Sequence, residues 1–152
     1  GQWRERNMNW KNEAIEKLKK YDAMRQALRN IPEEITRLKE DICSYRGIRM
    51  DGISVKNSVS RRDDAMINNL AHQQELEWTL KQVKQWLAVA DRGLLALPHD
   101  ERMILQRLYL YPEHNSIARL CSELGVEQST IYRKRDQALY RFTVALYGFA
   151  ET

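Results

Sequence analysis

Apolar positions three and four residues apart organise most of the chain. Ala14, Leu18, Tyr21 and Leu28 step by four, three and seven, with Arg25 in the skipped place, and predict a first helix from about Asn7 to Arg29. Asn30-Ile31-Pro32-Glu33-Glu34 then has the chemistry of a stop and restart. Asn30 can cap a new helix, Pro32 is tolerated in a first turn because it lacks an N–H, and two acids suit the positive helix end. The second helix runs to about Tyr45 on Ile31, Ile35, Leu38, Ile42 and Tyr45. Two heptad-spaced helices joined by a tight break predict an antiparallel, coiled-coil-like hairpin.

Arg46–Ser60 holds two glycines and no sustained period, and is expected to be a loop. A long third helix follows from about Arg61 to Arg92, on Leu76, Leu80, Val83, Leu87 and Ala90, with Met66, Ile67 and Leu70 on a related face. It can pack on the hairpin or pair with the same helix of a second subunit. Trp10, Trp78 and Trp86 are expected at helix interfaces, and Trp3 outside them. Gly93 breaks the pattern, and Leu97-Pro98-His99-Asp100-Glu101 restarts a helix that Tyr111-Pro112 ends. The expected organisation is all-α: residues 1–93 as a helical assembly or partner module, and residues 94–152 as a second domain.

The stretch from Ser116 to Phe142 carries the most specific pattern. Ile117, Leu120, Cys121 and Leu124 give one helix a buried face. Ala118 is small enough for a close helix crossing, Gly125 can take the left-handed conformation that ends a helix, and Val126 can plug the turn. A second helix opens near Gln128 or Ser129 and buries Ile131, Ala138, Leu139, Phe142 and Leu146. At 100° per residue, Ser129, Arg133, Gln137 and Tyr140 then point away from that face, with Thr130 and Lys134 on one flank and Tyr132 on the other. This is the layout of a helix-turn-helix. Its DNA-binding candidates are Gln128, Ser129, Thr130, Tyr132, Arg133, Lys134, Gln137 and Arg141. Arg133 suits guanine, Gln128 or Gln137 suits adenine, and Lys134 and Arg141 suit phosphates.

Charge is compatible with that expectation. The formal net charge is +4, and residues 1–30 hold eight Lys/Arg against four Asp/Glu, so the excess lies on the first helix. With 43% hydrophobic and 30% charged residues the chain is too apolar for a disordered segment. No apolar run approaches the ~20 residues of a membrane span, and Gly1-Gln2-Trp3-Arg4-Glu5-Arg6 lacks a signal-peptide core. A cytoplasmic location is therefore expected. Cys43 and Cys121 are expected to be free buried thiols, with no metal or other cofactor. His72, His99 and His114 fall in different elements without ligand spacing. Asp63-Asp64 and Glu33-Glu34 sit at helix starts, where dipole complementarity accounts for them. With no phosphate loop or nucleophile elbow, an enzyme is not expected.

From Leu97 to Gly148 the chain resembles the last DNA-binding domain of sigma factors, of the region-4 type. The resemblance rests on Glu101-Arg102-Met103-Ile104-Leu105, Ile117-Ala118, Leu124-Gly125-Val126, Thr130-Ile131-Tyr132-Arg133 and Ala138-Leu139. Glu127 departs from it, standing where such motifs usually carry Ser or another small capping residue. The full layout, with Leu146-Tyr147-Gly148 at its end, resembles phage late-gene transcriptional regulators of the ArpU/RinA type. That resemblance implies binding to double-stranded promoter DNA, activation of transcription, RNA polymerase as a further partner and a bacterial host cell. The N-terminal helices would serve a homo-oligomer. Two other classes share the pattern: a phage small-terminase-like packaging subunit, and a helical protein-interaction module that does not bind DNA.

Overall fold

In a computed structural model, backbone is described for residues 2–48 and 56–148, and side chains for residues 9–45 and 61–148. Every regular element among them is a helix: α1 (Gln2–Lys19), α2 (Tyr21–Ile48), α3 (Lys56–Leu95), α4 (His99–Leu105), α5 (Ser116–Leu124) and α6 (Gln128–Tyr147). A π-helical turn, Gln106–Leu110, extends α4 and closes with Tyr111 N–H on the Gln106 carbonyl at 2.9 Å. The side chain of Trp3 and residues 49–55 of the expected loop lie outside the described residues. At the loop's ends, residues 46–48 and 56–60 are helical backbone rather than loop.

The expected break at Asn30–Pro32 does not form. Helix α2 runs through Pro32, although a mid-helix proline removes one backbone bond and costs ~3 kcal/mol. The physical reason is phase. Leu28, Ile31, Ile35 and Leu38 step by three, four and three, so the apolar face continues unbroken, and the last three are buried. The expected hairpin between the first two helices is replaced by this one continuous element. The interruption instead falls at Lys20, and even there helical bonding persists, from Lys20 N–H to Glu16 and from Met24 N–H to Lys20.

Packing divides the chain into two units, Arg25–Gln85 and Gly1–Met24 with Trp86–Thr152. In the first, α2 meets α3 through a buried polar pair: Asn69 donates to the Leu38 carbonyl at 2.9 Å and Gln73 to Asn69 at 2.7 Å. A parallel arrangement would require residues 49–55 to span about 35 Å, and eight Cα steps reach at most ~28 Å. The two helices are therefore antiparallel. Trp78, expected at an interface, is 63% exposed.

In the second unit α4 packs along α6, and α1 lies against α6 and the π-helical turn. Its core holds Ala14, Leu18, Leu87, Ala90, Leu94, Leu97, Ile104, Leu105, Leu120, Ile131, Leu139 and Phe142. Gly93 does not end its helix. It is buried inside α3, where an added Cβ would lie 2.9 Å from the Phe142 ring, so a hydrogen is required for close approach. The true end of α3 is capped by Arg102, which donates to the carbonyls of Leu94, Leu95 and Leu97, a favourable place for a cation.

Candidate nucleic-acid interface

The turn between α5 and α6 sets the geometry of the candidate surface. Gly125 adopts φ +65°, and its N–H bonds the Cys121 carbonyl. No atom lies within 4 Å of the place its Cβ would take. Glycine is demanded there by backbone conformation, not by space. Glu127, in extended conformation, opens α6. Its carbonyl accepts from the N–H groups of Thr130 and Ile131, while its carboxylate makes no cap bond. Fully buried Ile104, Leu120 and Ile131 join α4, α5 and α6, with Met103, Leu108, Ile117, Cys121, Leu124 and Val126 packed around them. Val126 thus fills the turn as its position predicts.

That core fixes the rotation of α6. Ile131, Ala138, Leu139 and Phe142 face inward, and Ser129, Arg133, Gln137 and Tyr140 are all exposed. Gln128 and Tyr132 are exposed, and Thr130 and Lys134 half-buried. Thr143, not Leu146, completes the buried face, donating its hydroxyl to the Leu139 carbonyl at 2.7 Å. Gln128 donates to the Tyr132 hydroxyl at 3.2 Å, and the Arg135 guanidinium lies 5.1 Å from the centre of the Tyr132 ring.

The cations of α6 differ in their commitments. Lys134 is ion-paired with Asp100 of α4, and the bonded ammonium holds that carboxyl below its ordinary value. Arg141 pairs at 2.9 Å with Glu101, whose side chain is only 4% exposed. Arg135 pairs with Asp136 at 3.1 Å, and Lys11 of α1 approaches the same carboxylate at 3.5 Å. Among the described residues, Arg133 is the α6 cation with no ion pair or hydrogen bond. The two acids that engage Lys134 and Arg141 lie 34 and 40 positions away, beyond any local pattern.

Helix α1 lies against the later half of α6, at Asp136, Tyr140 and Tyr147. The Trp10 and Tyr140 rings meet edge-on with centres 6.1 Å apart, and the Lys17 ammonium lies 4.7 Å from the centre of the Tyr147 ring and donates to its hydroxyl. The open part is the first half, carrying Gln128, Ser129, Tyr132 and Arg133. Beside it is a cleft of about 430 Å³ lined by Asn115, Ser116, Ile117, Ala118, Cys121 and Gln128. Ala118 is therefore exposed on the cleft wall, not buried at a helix crossing. Arg119, next to it, has a side chain 60% exposed, with one 3.4 Å contact to Glu113. This cation is absent from the candidates expected on α6 alone, yet the same spacing of 100° per residue places it on the outer face of α5, away from Leu120.

Both cysteines are free, and Cys43 is exposed rather than buried. Among the described residues no group of three or more His, Cys, Asp or Glu can hold a metal ion, and no helix is long and apolar enough to cross a membrane. Comparison of the chain with protein-family models, with curated proteins and with solved structures returned no match.

Proposed function

We propose that the chain is a sequence-specific regulator of transcription that binds double-stranded DNA, with α5, the Gly125 turn and α6 acting as a helix-turn-helix. The observation that carries this is the open first half of α6. Arg133 is exposed there and, among the described residues, unneutralised, between Ser129 and Gln137 on one outward line. A helix presented this way can enter a major groove, and a free guanidinium can meet the O6 and N7 of guanine. Gln128, Ser129 and Tyr132 are placed to reach neighbouring bases, and Thr130 to support them. Arg119 is a phosphate-contact candidate on the adjoining helix. The resemblance to phage late-gene regulators supports a phage-encoded activator with RNA polymerase as a further partner. The test is selection from a random duplex pool at two salt concentrations. Enrichment of a defined motif that persists at the higher salt is expected; binding without enrichment, or none, overturns the proposal.

A second reading, a helical protein-interaction module, is favoured by one observation. Lys134 and Arg141, two of the cations suited to phosphates, are neutralised by Asp100 and Glu101. It predicts no duplex binding in the same selection.

A further inference from the structure

Helix α3 carries apolar residues on two opposite sides within the unit Arg25–Gln85. The side turned to α2 is marked by Asn69, Gln73 and Val83, which are buried, and by half-buried Leu76 and Leu80. A second stripe runs Asp64, Ile67, Ala71, Gln74, Trp78 and Lys81, in steps of three and four. It is displaced from the first by two residues, about 200° around the helix. All six of its residues are exposed, Ile67 and Trp78 each at 63%, and Leu70 beside them is 47% exposed. A helix apolar on two faces is ordinarily covered on both.

The bare stripe has a symmetry of its own. Laid antiparallel on a copy of itself about the midpoint between His72 and Gln73, it sets Ile67 against Trp78 of the second copy. Ala71 then meets Gln74, and Asp64 meets Lys81. Each match occurs twice, as a two-fold interface requires. A parallel in-register pairing would instead set Asp64 on Asp64 and Lys81 on Lys81, placing like charges together. Neither Asp64 nor Lys81 has a partner among the described residues. We propose that a second copy of this chain covers this face, forming a two-fold dimer through antiparallel α3 helices with Trp78 and Ile67 as anchors and Asp64–Lys81 pairs at both ends. The occupant follows from self-complementarity of charge and size along one stripe. The proposal does not depend on DNA binding.

The test is the mass of the full chain in solution, without DNA, measured by sedimentation across a concentration series. Twice 18.0 kDa is expected. Trp78→Glu should raise the dissociation constant more than roughly 100-fold, since a buried Trp anchor is lost at two symmetric places. Unchanged helical circular dichroism would show that the variant still folds. Asp64→Lys should weaken the dimer about 3- to 10-fold, and adding Lys81→Asp should restore it to within about 3-fold. A monomer at all concentrations, a mass above the dimer, a Trp78→Glu protein that still dimerises, or a charge swap that fails to restore it would each overturn the proposal.

Discussion

At the scale of single residues, the proposed DNA contact turns on which charges are free. Arg133→Ala should cost about 1–3 kcal/mol of specific DNA binding and relax one base position in the selected motif. An equal loss on every sequence, measured by competition binding, would remove its base-reading role. Lys134 behaves differently because Asp100 engages it. The lowered carboxyl pKa has a definite sign. The pair contributes fully to stability above the unfolded-state value of ~3.9, and loses that contribution as pH falls through it to the lowered folded value. Lys134→Met should therefore lower the melting temperature near neutral pH and flatten the acid-induced loss between about pH 5 and 3. Parallel melting curves for the two proteins across that range would exclude the pair as a source of acid sensitivity. The outward direction of Arg133 was legible from helical spacing. The neutralisation of Lys134 and Arg141 was not, because their acids sit on another helix.

At the scale of elements, two residues that ordinarily punctuate a chain lie inside helices. Pro32 interrupts the backbone bonding of α2 while the apolar stripe around it stays in phase. Pro32→Ala should thus raise the unfolding free energy by about 2–3 kcal/mol. A loss of stability on chemical denaturation would mean that the proline shapes the helix it occupies. Gly93 acts by its size. Alanine would gain about 1 kcal/mol of helix propensity, but its methyl would lie 2.9 Å from the buried Phe142 ring and 3.2 Å from Leu146. Overpacking of this kind costs about 1–3 kcal/mol, so Gly93→Ala should be neutral to destabilising by about 2 kcal/mol, and a gain on denaturation would contradict the close approach. Gly125, by contrast, was readable as a turn residue from the sequence, because its role is conformational and local.

At the scale of the whole molecule, the first 24 residues share a packed unit with the last helices of the chain. Ala14 and Leu18 belong to the same unit as fully buried Phe142. Phe142→Ala should cost about 3–5 kcal/mol and lower hydrogen-exchange protection at Ala14–Leu18 together with that of α4 and α6. Protection of α1 that survives while α6 opens would separate the two. No charge pattern or periodicity in the first helix announced this placement. Its apolar stripe said that it packs, but not on what.

By itself the sequence determined the helical character of the chain, the Gly125 turn and the inward and outward faces of α6. These follow from repeats of 3.6 residues and from one residue free to adopt positive φ, both local properties. Tertiary structure decided that α2 passes through Pro32, that Gly93 serves an aromatic ring, that α1 packs against the later half of α6, and that Arg133 alone among the α6 cations stays uncommitted among the described residues. Each of those outcomes depends on the in-phase burial of a whole face or on contacts between residues tens of positions apart. Their energies balance only when the elements are packed.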